Sequence, residues 1–294
     1  MIVGLLGASL IVFGAVRLSG DPVYMVVPEN APQEIVSEYR HRLGLDRPVA
    51  VQYADFVGRL LRGDLGWSLR HNASVAALIR ERLPNTARLA VISMMLALLL
   101  AIPLGVVAAA RHGTGLDQVI QVLGMLGQSM PVYWTGLLLI IFVALPTGWF
   151  PTGGTGSLRH FVLPSVTLAT FLMARIVRLT RSGMLECLAE DYIRTARAKG
   201  LAERAVLYRH ALRNVLIPVV TVIGLQMGSL LGGAVIIETI YSLPGLGSLI
   251  VQGIYGRDFA LVQSSVVILA GVFLAISLFL DVVYAWLDPR IRYS

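Results

Sequence analysis

Hydrophobic positions along the chain gather into six runs, and the polar stretches between them divide it into a small lobe and a larger core. Runs at 89–110, 119–145, 215–237 and 259–280 contain no charged residue. A run at 161–174 is uncharged but short; it is expected to continue to about 180 through Arg175 and Arg178, whose long stems snorkel to the interface. The first run, 1–16, is also short for a span that needs roughly 20 residues. It has no basic leading region, and Arg17-Leu18-Ser19-Gly20-Asp21-Pro22 is not a small-residue cleavage site, so it reads as a transmembrane helix over 1–18. The expected fold is all-α and polytopic, with six transmembrane helices. Helix 1 is followed by a lobe at 19–88 and a five-helix core at 89–294, with spans at about 89–110, 119–145, 161–180, 215–237 and 259–287. In the lobe, Tyr53, Phe56, Leu60 and Leu61 recur at helical spacing, and Arg62-Gly63-Asp64 and Leu65-Gly66-Trp67 signal turns.

One polar stretch differs from a plain loop. Residues 181–214 form a charged island that holds the only lysine, Lys199. Leu188, Tyr192 and Ala196 recur at i, i+4, i+8 beside Ala189 and Ile193, while Glu190, Asp191, Arg194 and Arg197 take the other face. Gly200 ends this first short helix in a left-handed conformation. From Ala202 a second helix is expected, with Ala205, Tyr208 and Leu212 on one face and Arg204, Arg209 and Arg213 elsewhere. A solvated loop would need neither an apolar stripe on each helix nor a glycine at the joint.

Composition agrees with the membrane reading. The chain is 56% hydrophobic and 14% charged, against about 25% charged for a soluble domain. Its net charge of +7 comes from arginines spread along loops, which suits lipid headgroups and membrane orientation rather than nucleic acid. Placing the island inside collects Arg175, Arg178, Arg181, Arg194, Arg197, Lys199, Arg204, Arg209 and Arg213 on that side, with Arg111, Arg290 and Arg292. The opposite short loops carry only Arg159 and Arg257, and the long 19–88 segment escapes the rule. Both termini are therefore expected in the cytoplasm and the lobe outside.

Candidate enzymatic chemistry is thin. Lys199 is followed by Gly200, not by the Ser or Thr of a phosphate-binding loop. The five histidines (His41, His71, His112, His160, His210) lie in separate loops without i, i+4 pairing, so no metal site is expected. The lone Cys187 excludes internal disulfides. Inside the spans, Gly224, Gly228 and Gly232 repeat at i+4, a spacing that favours close packing against another helix. Gln128, Ser129 and Gln226 must find partners, either across helices or along a pore. Pro131 is expected to kink the third span. Asp281 needs a cation at its depth, with Arg175 and Arg178 as candidates, or headgroup water. Glu238 opens an external Pro-Gly segment, 238–247, that is either an outer gate or a plain loop.

At the island a family resemblance becomes specific. Arg194-Thr195-Ala196-Arg197-Ala198-Lys199-Gly200, then Arg209-His210-Ala211-Leu212-Arg213-Asn214 and Ile217-Pro218, resembles the "EAA" loop of ATP-binding-cassette (ABC) importer permeases, in the wording of the dipeptide/oligopeptide/nickel branch. Gly20-Asp21-Pro22, Gly63-Asp64-Leu65-Gly66, the run from Glu238 to Gly247, Asp281 through Tyr284, and Leu287-Asp288-Pro289-Arg290 resemble further motifs of that branch. Arg194 and Thr195 depart from the glutamate and alanine of the general motif, and the Gly200-to-Pro218 gap is longer, as is typical of this branch; the short N-terminus departs from it.

The resemblance implies a type I ABC importer permease fold in the bacterial plasma (inner) membrane. It implies a second, related permease, two ATPase subunits and an extracytoplasmic substrate-binding protein as partners. ATP and Mg would be used by the ATPases, and this chain would bind no cofactor and catalyse no reaction. Asp191, Arg194, Thr195, Ala196, Arg197, Ala198, Lys199, Gly200 and Leu201 would form the contact with one ATPase, and Gln128, Ser129, Pro131, Gln226 and Glu238 would be candidates for the pore or gate. Di- or oligopeptides are the expected substrates, with nickel chelates or glutathione as alternatives. An ion-coupled secondary transporter would show inverted repeats and ionisable groups near mid-membrane, and the span centres here are uncharged.

Overall fold

The computed structural model describes residues 2–18, 22–25, 27–28, 30–42 and 44–287. In chain order the helices are α1 (Ile2–Leu18), α2 (Gln33–Arg42), α3 (Val49–Leu61), α4 (Val75–Ala110), α5 (Gly115–Ser129), α6 (Val132–Leu139), α7 (Leu145–Thr147) and α8 (Arg159–Ala189). They continue with α9 (Asp191–Ala198), α10 (Glu203–Ala205), α11 (Leu212–Ile240), α12 (Leu246–Tyr255) and α13 (Phe259–Leu287). A 3₁₀ turn covers Pro22–Met25, π-helical turns cover Ile140–Ala144 and Val206–Ala211, and β1 (Trp67–Ser68) pairs antiparallel with β2 (Ala73–Ser74). Among the described residues four helices are long and apolar enough to cross a membrane, and five if α5 and the helical stretch after it, which meet at a sharp bend, are one span. α1, at 17 residues, is apolar but short.

Four expectations from the hydrophobic runs need correction. α4 begins at Val75, not at 89, because Val75, Leu78 and Ile79 bury one face of an amphipathic first stretch whose other face carries Arg80 and Glu81. The third run breaks outright: its two halves meet at 103°. Met130 precedes Pro131 and sits in extended backbone (φ −78°, ψ 131°), as the clash of a proline ring with the preceding residue demands. α8 runs nine residues beyond 180, to Ala189, so Leu188 and Ala189 belong to the span helix and not to the island's first helix. The island's second helix is not separate either; α10 passes through a π turn into α11.

The chain divides into two compact units. One comprises 1–86 and 244–274, so the lobe expected at 19–88 also takes in α12 and the first half of α13. Its apolar clusters join Val12, Phe13 and Val16 to Phe56, Val262 and Val267, and Val75, Leu78 and Ile79 to Leu246, Leu249 and Leu261. Buried polar ties complete it. Ser68 Oγ donates to Asp258 Oδ2 (2.6 Å), Asn85 Nδ2 to the Pro244 carbonyl (2.8 Å), and the Leu246 N–H to Thr86 Oγ1 (2.8 Å). The other unit comprises 87–243 and 275–294. There α8 packs between α5 and α11, with Leu172, Ile176, Met184, Ile193, Val206 and Val219 in one cluster and Leu89, Leu168, Ile237 and Tyr241 in another. Tyr241 Oη bridges Thr167 Oγ1 (3.1 Å) and the Gly136 carbonyl (3.2 Å), which pins the bent α6 to α8 and α11.

Candidate functional site

The charged island folds into a short, stiffly anchored hairpin. Glu190, in extended backbone, ends α8, and α9 starts at once. Ile193 and Ala196 are the buried residues of α9; Asp191, Tyr192, Arg194, Thr195, Arg197 and Ala198 are exposed, as are Lys199, Gly200 and Leu201 beyond it. The anchoring stripe is thus Ile193–Ala196 rather than Leu188–Tyr192–Ala196. Two backbone bonds close the C-terminus, from Gly200 N–H to the Arg197 carbonyl (2.9 Å) and from Leu201 N–H to the Ala196 carbonyl (3.3 Å). This is the pairing of a Schellman motif, and it requires the left-handed φ of +76° that Gly200 supplies. A Cβ on Gly200 would meet nothing within 4 Å, so backbone conformation and not space within this chain selects the glycine.

Side chains then tie the two arms. Arg197 Nη2 and Nε donate to Glu203 Oε1 (2.8 Å) and Oε2 (3.2 Å), a forked pair across the Gly200 turn. Each partner shifts the other: Glu203 holds the Arg197 guanidinium above its ordinary pKa, and Arg197 holds the Glu203 carboxyl below its own. Asn214 Nδ2 donates to Tyr192 Oη (2.9 Å), and partial desolvation of the phenol, whose ring is otherwise exposed, pushes its pKa up. The second arm winds as a π turn, which brings Val206 and Ala211, five residues apart, to full burial. A 3.6-residue wheel misses this and puts Tyr208 inward, whereas Tyr208 is exposed. Glu203 was the unforeseen member, although opposite charges six residues apart across a glycine are a usable signal.

A second polar feature runs along α8. Arg181 pairs with Asp117 through two 2.7 Å bonds, with Asp117 almost wholly buried. Arg178 Nη2 donates to Gln128 Oε1 (3.3 Å) and Arg175 Nη1 to Gln226 Oε1 (2.9 Å). Gln128 and Gln226 thus make interhelical bonds with Arg178 and Arg175; the pairing of those arginines with Asp281 falls outside the described side chains. Ser129 and Pro131 are exposed at the α5–α6 break. Glu238 is not a loop residue: it lies in the last turns of α11, fully buried, and its carbonyl accepts from the Leu243 N–H (2.8 Å). Gly224 and Gly228 are half-buried, and Gly232 is exposed with nothing within 4 Å of an added Cβ. The motif residues Gly20-Asp21 and Asp288-Pro289-Arg290, together with Arg292, and the Asp281 side chain lie outside what the structure describes.

Elsewhere, Ser68, His71 and Asp258 come together, with Ser68 Oγ 3.1 Å from His71 Nδ1. Ser68 is fully buried and donates to the carboxylate that also accepts the Leu261 N–H at the start of α13, so this cluster is a fold tie, not an activated nucleophile. Among the described residues no three His, Cys, Asp or Glu side chains converge as metal ligands.

The geometry is that of a helical membrane core presenting a braced hairpin, and comparison with known proteins gives it a family. Residues 101–293, from the second half of α4 onward, match the profile of the binding-protein-dependent transport system inner membrane component. The chain belongs to this family. The permease is 40% identical to the oligopeptide transport system permease protein AppB of Bacillus subtilis strain 168, over 98% of this chain and 95% of that one. It is 39% identical to the di/tripeptide transport system permease protein DppB of Pseudomonas aeruginosa strain UCBPP-PA14, with the same coverage. Against the glutathione transport system permease protein GsiC of Salmonella choleraesuis identity is 38%, over 99% and 95%. Its fold matches a chain of the MetNI methionine ABC transporter in an inward-facing conformation, with a TM-score of 0.63 at 18% identity, covering 72% of the permease and 97% of that chain.

Proposed function

We propose that this permease is the membrane-spanning subunit of an ATP-driven importer that carries di- or oligopeptides handed over by a substrate-binding protein. The observation that carries the reading is the hairpin at Asp191–Ala198. Its inner face is locked into the helical core through Ile193 and Ala196, and its outer face is exposed. In this reading the partner is one of two ATPase subunits, which hold the ATP and Mg; the exposed Asp191, Arg194, Thr195, Arg197, Ala198, Lys199, Gly200 and Leu201 supply the contact, and Ala196, expected with them, is buried and anchors the helix instead. Closure of the ATPases rotates the hairpin, and because α8 and α11 grow from its two ends, the rotation reaches the core as a rigid-body motion. The peptide substrate is supported by relatives named for oligopeptides and di/tripeptides at 39–40% identity across almost the whole chain. Glutathione, itself a tripeptide, is a second reading that the GsiC likeness favours.

The finer architecture belongs to the same proposal. α1 is the first of six spans, the lobe that begins at residue 19 is extracytoplasmic, and both termini are cytoplasmic, as the basic short loops favour. A second, related permease completes the pore. The test is uptake of a labelled tripeptide by cells expressing the complete importer. Depleting ATP should abolish uptake and collapsing the proton gradient should not; the reverse would point to an ion-coupled carrier. Gly200→Leu should abolish uptake while the subunits still co-purify. Undiminished uptake by that variant would remove the hairpin from the mechanism.

A further inference from the structure

α8 carries three arginines a turn apart, and they are not equivalent. Arg181 has its own carboxylate, Asp117, and is closed off by it. Arg175 and Arg178 have amide oxygens only, from Gln226 and Gln128, so among the described residues their charge is hydrogen-bonded but not neutralised. Arg175 lies midway along α8 and Gln226 midway along α11. Gln226 is 1% exposed, and with its Oε1 taken by Arg175 its Nε2 has no partner among the described residues. Among the described residues the site is therefore a cluster of donors that lacks an acceptor: one buried amide N–H₂ beside a guanidinium whose remaining N–H groups have no acceptor there. Arg175 and Arg178 are also exposed on the surface of this chain. Two guanidinium groups on a membrane-crossing helix do not face lipid without heavy cost, so that face of α8 turns toward water or a charged partner.

Resting on the peptide-importer reading for the substrate class alone, we propose that Arg175 and Gln226, with Arg178 and Gln128 beside them, form a station of the translocation path that takes the C-terminal carboxylate of the passing peptide. A carboxylate supplies what the cluster lacks. One oxygen accepts from the exposed Arg175 and, once the α8–α11 contact opens to admit it, the other from the enclosed Gln226 Nε2, in the planar forked geometry that guanidinium and amide donors share. An amidated C-terminus offers one acceptor and no charge, and a cationic end is repelled. The station adds a check on the substrate inside the membrane, after any selection made by the binding protein.

The test uses the purified complex of both permeases and both ATPases without the binding protein, so that the latter's preferences do not enter. Equilibrium binding of trialanine and of trialanine amide is compared, and uptake of trialanine by the complete importer in proteoliposomes is measured in parallel. The expected result is at least 10-fold tighter binding of the acid, a preference that Arg175→Gln abolishes and Gln226→Leu reduces several-fold without removing the charge. Equal affinity for acid and amide in the unaltered complex, or a preference that survives Arg175→Gln, overturns the station. If the unaltered importer carries no peptide at all, the peptide reading falls and the station with it. If it carries peptide and the variants bind acid and amide as before, only the station falls. Should Arg175→Gln fail to assemble, Gln226→Leu decides alone.

Discussion

Gly200 and the Arg197–Glu203 pair divide the labour of closing the hairpin. The glycine makes the turn possible: an L-residue at φ +76° would add roughly 1–2 kcal/mol of backbone strain. The ion pair makes it stay closed, but both side chains are about half exposed, so its contribution is on the order of 0.2–1 kcal/mol. Because the Glu203 carboxyl is held below its ordinary pKa of 4.5, its stabilising effect is complete above that value. It fades only as pH falls through the depressed value, so neutral and mildly acid conditions leave the hairpin alone. Glu203→Gln should therefore speed amide hydrogen exchange at Gly200 and Leu201 by a few-fold at pH 7. The Arg197→Glu/Glu203→Arg double variant should restore the slow rate. Unchanged exchange in the single variant would mean that the Schellman closure suffices without the pair.

Among the elements, those set by local chemistry were legible in the sequence and those set by distant contacts were not. The Gly200 terminus, the uncharged runs and the turn at Pro131 follow from glycine, apolar length and the restriction a proline imposes on its predecessor. The early start of α4 was hidden because Arg80, Glu81 and Arg82 interrupt the apolar run, although Val75, Leu78 and Ile79 keep one face buried. The π turn at Val206–Ala211 was hidden because no 3.6-residue pattern encodes it. Ser68 and Asp258, or Arg175 and Gln226, are too far apart in sequence for spacing to join them. Helix approach shows the same limit. The Gly224–Gly228–Gly232 repeat is the spacing that suggests close approach, yet a tight glycine contact between this chain's own helices falls at Gly105, outside it, whose added Cβ would sit 2.6 Å from Thr180 Cβ. Gly105→Leu should overpack the α4–α8 contact and destabilise by about 1–3 kcal/mol or more, visible as a lower thermal midpoint of the detergent-solubilised permease. A midpoint within a degree of the unaltered protein would show that α4 can shift aside.

At the scale of the whole molecule, the helical core leaves Gly232 on α11 without an occupant among the described residues. Gly232 is exposed and an added Cβ there meets nothing within 4 Å among the described residues, while at its neighbour Gly233 a Cβ would already approach Leu168 to 3.1 Å. α11 therefore uses one edge to pack within the chain and turns the other outward, and small residues on an outward edge let a second helix come close. In the proposed importer that helix belongs to the related permease. Gly232→Leu separates the two uses of α11. Among the described residues nothing lies within 4 Å of a Cβ there, and leucine is the better helix former, so the lone subunit should fold with an unchanged or slightly raised thermal midpoint. The assembled complex should suffer instead: recovery of the second permease in co-purification should drop several-fold, and ATP-driven uptake with it. Gly233→Leu should behave in the opposite sense, lowering the midpoint of the lone subunit before assembly is tested at all. If Gly232→Leu leaves the yield of the complex intact, the outward face of α11 meets lipid, and the second permease must be sought on another helix.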